Sequence, residues 1–339
     1  MAALTPPRLL FITSSRIGDA VLSSGVLAML LEDYPGAAVT VACGPVAAPL
    51  FADLPGLECL HVIERRPRLG HWRRLWQAMR RQRWQVVADL RGSLLAWTLA
   101  ADRRLICRAE KRREHRIEEL ARQLGLPRPP APTLWLSADR RRRAAQSLGD
   151  GPPVLAVGPT ANWAAKQWPI DRFQAAVAAL TAADGILPGA RVAVFGAAGE
   201  RPAAAPLLAS IAADRRLDFI GGPDLLDGQA LLERCSFYLG NDSGLMHMAA
   251  AAGIPTLGLF GPSPEWRYGP YGERTAVART TESFEQLVVN NPAFDHRKTD
   301  CLMTGLSVET VVMAARALWS GDGRGGLGLL DTDLTDLNG

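Results

Sequence analysis

The sequence predicts an α/β protein with two doubly wound parallel sheets. Short apolar segments typical of buried strands alternate with longer segments typical of helices along most of the chain. Glycine, proline and small polar residues separate these segments. The chain has 339 residues, which is long for one ordinary core and suits two domains.

Composition narrows the class of protein. Hydrophobic residues make up 48% of the chain and charged residues 21%, as in soluble globular proteins. No apolar run approaches the roughly 20 residues of a membrane-spanning helix. The first residues, MAALTPPRLLFITSS, lack the features of a signal peptide. We therefore expect a cytoplasmic protein.

The five cysteines are scattered without a CxxC pair. This spacing argues against a disulfide framework and against a zinc site. We expect Cys43, Cys59, Cys107, Cys235 and Cys301 to be buried thiols.

Basic residues crowd the first half of the chain. Eight arginines lie between residues 65 and 83, and a second cluster spans residues 103–116. Such clustering indicates a polyanionic partner, which could be nucleic acid, an anionic membrane face or a phosphorylated acceptor. A solvated helix face is an equally open interpretation.

The first domain begins with an apolar strand over residues 8–13, followed by a turn and a helix over 20–31. Further strands are predicted over 38–42, 61–63 and 85–89, and helices through 50–54, up to 124 and over 139–145. At the first strand-to-helix junction, Gly18 permits close backbone approach. Asp19 can either cap the helix or project into the crevice beyond the strands.

Residues 148–153 have the glycine and proline content of a linker, so we place the domain boundary near Gly151. The predicted domains are 1–150 and 151–320, with a flexible tail over 321–339. In the second domain we predict strands over 154–157, 191–196, 218–220, 237–240 and 256–261. Helices are predicted over 170–183, 225–234, 244–252 and 307–319.

The junction at residues 240–244 has the features of a phosphate site. Asp242 and Ser243 can cap the following helix, while Gly244 lets a ligand approach its unpaired N–H groups. His247 lies one turn further on and could donate a proton or hydrogen bond to a phosphate oxygen. Helix capping with a core histidine explains the same residues without a ligand.

The loop GPTANWAAKQWP follows the first strand of the second domain. Lys166 in this loop can neutralise a diphosphate leaving group at the sheet crevice. Thr160 and Asn162 are further candidate contacts for phosphate or ribose. An ordinary surface lysine is the alternative.

The run from Asp242 to Gly272, with SRIGDAVLSSGVLAML near the N-terminus, resembles the signature of the heptosyltransferases of glycosyltransferase family nine. The resemblance implies two facing Rossmann-like domains, the GT-B fold. It also implies transfer of heptose from ADP-heptose to the lipopolysaccharide inner core, with inversion. Asp19 would be the catalytic base, which takes the proton from the attacking hydroxyl.

The resemblance assigns further residues. Glu200 would lie near the nucleotide and hold ribose hydroxyls, although a glutamate at a helix start is an equal explanation. Residues 89–93 resemble the family's acceptor-side loop, but Leu94 and Leu95 depart from it, which leaves the acceptor open. Independently of the resemblance, the charges of Arg112, Arg113 and Arg116 suit phosphate or carboxylate groups of an acceptor. Gly18, which permits close backbone approach, is a further candidate acceptor contact.

Two motifs in the tail are rejected. Gly321, Gly323 and Gly326 match GxGxxG, but no strand precedes them. Asp331 and Asp333 mimic a metal-binding pair outside any predicted scaffold. We therefore expect neither a cofactor nor an obligatory metal.

The expected partners are a nucleotide sugar and a phosphorylated lipid or glycan acceptor, with peripheral contact to the inner membrane an option and no nucleic acid. Three alternatives remain open: a protein O-heptosyltransferase, a transferase of another nucleotide sugar, and a nucleotide-sugar-binding protein without catalysis.

Overall fold

The computed structural model describes residues 6–64, 67–110, 112–292, 294–295 and 300–321. It contains two all-parallel sheets, as the sequence predicts. The first sheet has the strand order β3-β2-β1-β4-β5. Its strands are β1 (Arg8–Ile12), β2 (Ala38–Cys43), β3 (Leu57–Val62), β4 (Trp84–Asp89) and β5 (Ala101–Ile106).

The helices of the first half cover this sheet. They are α1 (Ile17–Asp33), α2 (Gly70–Met79), α3 (Leu95–Thr98), α4 (Arg116–Leu124) and α5 (Ala138–Leu148), with 3-10 turns at Ala48–Phe51 and Pro67–Leu69. The helix expected through residues 50–54 is therefore only a short 3-10 turn. Sequence reasoning missed α2 and β5, because arginines interrupt their apolar patterns.

The second sheet has six strands in the order β11-β10-β9-β6-β7-β8. They are β6 (Val154–Gly158), β7 (Arg191–Gly196), β8 (Arg216–Ile220), β9 (Phe237–Asn241), β10 (Thr256–Phe260) and β11 (Thr275–Arg279). The helices are α6 (Ile170–Thr181), α7 (Arg201–Ser210), α8 (Leu225–Leu232), α9 (Gly244–Ala251), α10 (Glu265–Tyr268) and α11 (Val308–Ser320). Short turns at Ala164–Lys166, Ala198–Glu200 and Glu285–Val289 complete this half.

Each sheet reverses its strand order at one point. In the first sheet the chain moves outward from β1 through β2 to β3, then returns to the other side of β1 with β4. In the second sheet the reversal lies between β6 and β9. Ligands of open α/β sheets bind beyond the carboxyl ends of strands at such points. The topology therefore selects the loops after β1, β4, β6 and β9.

The central strands are mostly apolar because helices cover both of their faces. Leu9, Phe11, Val86 and Ala88 fill one face of the first sheet, and Leu155 lies in the core of the second. Within the described ranges, no helix is long and apolar enough to cross a membrane.

The thiols only partly follow the expectation from sequence. Cys43, Cys107 and Cys235 are buried, and Cys301 is partly buried. Cys59 is exposed, so its predicted burial is wrong. It lies on the edge strand β3, which lacks a neighbouring strand on one side.

Ion pairs connect α5 to both halves of the molecule. Arg140 donates from Nε to Asp53 at 3.0 Å and from Nη1 to Asp224 at 2.8 Å. Asp53 belongs to the first half of the chain, whereas Asp224 precedes α8 in the second. The two sheets lie on either side of Gly151 in the sequence, and the boundary itself stays a prediction.

We expect Arg140→Met to lower the free energy of unfolding by about 1–3 kcal/mol, because the half-buried Asp53 carboxylate loses its ion pair with the Arg140 guanidinium. The Arg140 side chain is only 14% exposed. Urea denaturation provides the measurement. The control is Arg142→Met, whose side chain is 70% exposed in its pair with Asp139 and whose loss should cost about 0.5 kcal/mol or less. Equal effects of the two substitutions would contradict this account.

Candidate active site

A cavity of about 260 Å³ opens at the reversal point of the first sheet. Its walls come from the loops after β1 and β4, from α1 and α4, and from α10 of the second half. The lining residues are Thr13, Ser14, Asp19, Ser23, Leu90, Arg91, Arg116, Arg267 and Tyr268. The cavity therefore lies in the cleft between the two sheets.

Asp19 faces this cavity from the first turn of α1. The Ser14 hydroxyl donates to Oδ2 of Asp19 at 3.3 Å. The N-cap residue is Arg16, and no side chain among the described residues caps the helix. The sequence left two roles open for Asp19, and the prediction that it caps the helix is wrong. Its half-buried side chain instead lies at the wall of the cavity.

A buried carboxylate holds two of the cavity's arginines. Oε2 of Glu119 accepts from Nη1 of Arg116 at 2.6 Å and from Nη2 of Arg267 at 2.8 Å. Glu119 is 2% exposed, whereas each guanidinium is about one-fifth exposed. The charge of Glu119 stabilises two nearby cations whose remaining N–H groups can bind an anion.

Arg91 is the third arginine of the cavity. Its backbone N–H donates to the buried Asp89 at 3.0 Å, and its guanidinium lies 5.1 Å from the ring centre of Trp72 on α2. Burial raises the pKa of Asp89, although the Ser93 hydroxyl and backbone N–H groups oppose the shift. This hydrogen-bonded turn fixes where Arg91 enters the cavity.

Of the three arginines predicted to contact the acceptor, one lines the cavity and two do not. Arg116 lines the cavity with Asp19. Arg113 instead lies over Trp266 at 5.6 Å, and Arg112 is exposed beside Glu110. Arg91 and Arg267 were missed. Arg267 does fall within the stretch whose sequence resembles the family signature.

The two halves meet where α1 contacts α9. A Cβ at Gly18 would lie 2.9 Å from Cδ2 of His247, and one at Gly244 would lie 2.6 Å from Cγ2 of Ile17. Both distances are shorter than normal van der Waals contact. The two glycines thus allow close packing of the helix starts, a role that the sequence did not indicate for either.

His247 lies within this contact and is 4% exposed. Burial lowers the pKa of His247 to about 4, with Asp242 and Asp19 opposing the shift and His115 and Lys166 adding to it. The ring is therefore neutral at pH 7 and has no proton to transfer, but it can still donate a hydrogen bond. Its Nδ1 has no hydrogen-bond partner among the described residues.

Lys166 reaches the start of α9 from the loop after β6. Its Nζ donates to Oδ2 of Asp242 at 2.5 Å. Asp242 is 6% exposed, and no side chain of a described residue caps α9 at Ser243. The expected capping by Asp242 and Ser243 is wrong, because the Asp242 carboxylate binds Lys166 instead. The first-turn N–H groups at Gly244 thus receive no side-chain cap.

Asn241 connects the two loops at the reversal point of the second sheet. Its Oδ1 accepts from Trp168 N–H at 3.0 Å, and its Nδ2 donates to the Pro159 carbonyl at 2.8 Å. Asn241 is fully buried. It fixes the loop that carries Lys166 against the strand that leads to Asp242, and sequence reasoning missed it.

The remaining donor-side candidates lie near the same edge. The Thr160 hydroxyl donates to Oε2 of Glu200 at 2.9 Å, and the same oxygen accepts from Ala197 N–H at 2.7 Å. Glu200 therefore accepts from a backbone N–H at the start of its helical turn. This is the helix-start role that the sequence left open beside a contact with ribose. Asn162 is exposed in the loop after β6.

No cluster of three or more His, Cys, Asp or Glu side chains suited to a metal occurs in the part of the chain that the structure describes. Gly323, Gly326, Asp331 and Asp333 lie outside that part, as does all but the first residue of the predicted tail. The absence of an obligatory metal and of a cofactor stays a prediction.

The fold and site define an enzyme of the GT-B class, with two facing parallel sheets and a polar cleft between them. A family model described as glycosyltransferase family 9 (heptosyltransferase) matches residues 72–293, and the chain belongs to this family. The protein is therefore a glycosyltransferase.

Individual relatives agree with this membership. The chain is 25% identical to lipopolysaccharide heptosyltransferase 2 of Salmonella typhimurium, over 83% of this chain and 90% of the relative. The corresponding protein of Escherichia coli K12 is 26% identical over the same shares. A family 9 glycosyltransferase structure from Veillonella parvula matches the fold with a TM-score of 0.76 at 19% identity, covering 94% of this chain and 99% of that one.

The burial of His247 predicts a loss of stability in acid. The unfolded chain protonates this ring near pH 6.5, whereas the folded protein resists protonation down to about pH 4. Between these values the unfolded state binds more protons than the folded state. The free energy of unfolding therefore decreases as the pH is lowered from about 6.5 to 4, by roughly 3 kcal/mol in total.

We expect His247→Gln to show a shallower fall than the wild type when urea denaturation is compared at about pH 7 and about pH 5. The control is Met248→Leu on the same helix, a buried substitution of similar volume that removes no titratable group and should leave the slope unchanged. Identical slopes for His247→Gln and the wild type would show that the ring is not held neutral.

Proposed function

We propose that this enzyme transfers heptose from ADP-heptose to a hydroxyl of the lipopolysaccharide inner core, with inversion at the anomeric carbon. Family membership supports heptosyl transfer. A solved structure of similar fold, that of the E. coli ADP-heptose LPS heptosyltransferase II, supports the donor and the acceptor. The observation that carries the proposal is the α1–α9 contact, which brings the Asp19 carboxylate and the Lys166–Asp242 pair within electrostatic range of the same His247 ring.

Asp19 acts as the general base in this proposal. Its carboxylate takes the proton of the acceptor hydroxyl as that oxygen attacks the anomeric carbon of heptose. The bond from the anomeric carbon to the diphosphate oxygen breaks on the opposite face, and ADP departs with the bonding electrons. The Ser14 hydroxyl, which donates to Asp19, orients the carboxylate.

Lys166 and the start of α9 stabilise the departing diphosphate. The ammonium group supplies a positive charge, and the N–H groups at Ser243 and Gly244 supply the positive end of the helix dipole. Asp242 is itself an anion and would repel a diphosphate, so its ion pair favours a role in positioning Lys166. Thr160, Asn162, Glu200 and His247 complete the proposed donor site.

The acceptor side binds anionic groups through its arginines. Arg91, Arg116 and Arg267 surround the cavity that contains Asp19, which suits a phosphate or carboxylate on the sugar acceptor. Gly18, Arg112 and Arg113 remain proposed acceptor contacts at the rim. In this assignment residues 1–150 bind the acceptor and residues 151–320 the donor, in the cytoplasm.

Substitution of the base separates catalysis from folding. We expect Asp19→Asn to lower turnover by a factor on the order of 10² or more, because the amide keeps the shape of the carboxylate but cannot take a proton at neutral pH. Donor binding and thermal stability should stay near wild type. The measurement is ADP release with a lipopolysaccharide core acceptor.

The control for Asp19→Asn is Ser14→Ala, which keeps the base and removes two long hydrogen bonds, one donated to Asp19 and one accepted from Arg16 N–H, both at 3.3 Å. It should lower turnover by less than about tenfold. Near-normal turnover in a folded Asp19→Asn protein would remove Asp19 as the base.

Substitution of Lys166 tests the donor site. We expect ADP to raise the thermal stability of the wild type, since a ligand that binds only the folded state stabilises it. Lys166→Met should weaken ADP binding by about ten- to a hundredfold, the usual worth of a charge-assisted contact. Calorimetric titration measures the change, with exposed Arg142→Met as the control. Unchanged affinity in Lys166→Met would place the diphosphate elsewhere.

A further inference from the structure

Tyr238 is a buried titratable residue to which the proposed mechanism gives no role. It lies in β9, between Ala156 of β6 and Thr256 of β10, and it is fully buried. Its hydroxyl has no hydrogen-bond partner among the described residues. Because a buried tyrosine normally pairs its hydroxyl, this group needs a partner that the strands around it do not supply.

Two paired glycines make room for the phenol. Gly240 lies two residues beyond Tyr238 on the same face of β9, and it pairs with Gly158 of β6. A Cβ at either glycine would overlap the Tyr238 hydroxyl oxygen. Glycine inside a strand is typical of such a close approach. The hydroxyl therefore lies over the ends of β6 and β9, at the reversal point of the second sheet.

The start of α9 offers the missing partner. Burial raises the pKa of Tyr238, whereas the neighbouring Ser243 hydroxyl lowers it. The phenol therefore keeps its proton at neutral pH and is a hydrogen-bond donor. Ser243 is partly exposed as a residue, but its Oγ atom is buried and also lacks a partner within the described ranges. The serine hydroxyl is thus turned in toward the sheet, where one hydrogen bond would satisfy both hydroxyls.

This orientation withholds a cap from α9. Ser243 is the N-cap residue and has the extended backbone of that position. A serine there normally accepts from the second or third N–H of the helix, but no side chain of the described part of the chain makes that bond. A capping hydroxyl would occupy the N–H groups that a bound anion needs.

We propose that Tyr238 is a positioning residue of the donor site, whose hydroxyl keeps the Ser243 hydroxyl from capping α9. The phenol O–H donates to Oγ of Ser243, and the N–H groups of Leu245 and Met246 stay free for a diphosphate. That this ligand is the diphosphate of ADP-heptose rests on the proposed function. The competition between the phenol and the helix for one serine hydroxyl does not depend on the ligand.

Amide hydrogen exchange at Met246 tests the competition in the ligand-free protein. Tyr238→Phe keeps the ring and releases the Ser243 hydroxyl, which then caps the helix. We expect exchange of the Met246 N–H, followed by NMR with isotopically labelled methionine, to slow by a factor on the order of 10. Adding Ser243→Ala should return the rate to that of the wild type. Unchanged or faster exchange in Tyr238→Phe would overturn the proposal, since the loss of a hydroxyl that only stabilised the core gives that result.

Calorimetric titration with ADP tests the consequence for the donor site. Tyr238→Phe should weaken ADP binding about fivefold, the usual worth of one N-cap hydrogen bond that the ligand must displace. In the Ser243→Ala background the same substitution should change the affinity by less than about twofold, because no hydroxyl is left to release. Equal weakening in both backgrounds would contradict the proposal.

The control is Tyr34→Phe, which removes a tyrosine hydroxyl at the C-terminal end of α1. It should leave both the Met246 exchange rate and the ADP affinity unchanged. Exchange is measured without nucleotide, so it decides the role of Tyr238 even if the enzyme uses another donor. A wild type that does not bind ADP would overturn the proposed donor, and the Met246 exchange rates would still decide this inference.

Discussion

The contact between the first turns of α1 and α9 is the constraint on which the rest of the cleft depends. Helices normally pack with side chains between their axes, but here Gly18 meets the His247 ring and Gly244 meets Ile17. Any side chain at either glycine would overlap the opposite helix. The reversal points of the two sheets therefore face each other closely enough for one substrate to contact both. A GT-B enzyme needs this proximity because its acceptor and donor enter from different domains.

Charge in the cleft is balanced in pairs that cross between elements. Glu119 on α4 holds Arg116 of its own helix and Arg267 of α10, and Lys166 after β6 holds Asp242 after β9. His115 adds an uncharged link: its Nε2 lies 3.0 Å from the Gly269 carbonyl, while its Nδ1 accepts from Ile117 N–H. Burial lowers the pKa of His115, which keeps the ring neutral in this role. Breaking such a partially buried ion pair costs free energy, so each pair holds its cation at a defined position. The N–H groups of the cation that do not contact the carboxylate are still able to donate to a ligand.

The arginine clusters divide into two groups with different surroundings. Those near α4 and α10 lie at the cleft, where buried acids orient them. Those of α2, Arg73 and Arg74, are exposed, whereas Leu75 and Met79 of the same helix are buried. Sequence composition alone treats both groups as one basic region.

Local sequence determined most of the strands and the helices that follow them, because a buried parallel strand and a glycine-terminated helix leave clear periodic patterns. It located β1, β6, β7, β9, β10 and α9 to within one or two residues and also the end of α4. It selected Asp19 and Lys166 through junction chemistry and family resemblance. It missed α2 and β5, where arginines mask the apolar pattern, and it wrongly gave Asp242 and Ser243 a capping role. Only the tertiary structure decided that Asp242 binds Lys166, that Glu119 binds Arg267 and that Gly18 serves a helix contact. These partners are separated by 76, 148 and more than 200 residues. No local pattern encodes such distant pairs, since they arise only when the two sheets are brought face to face.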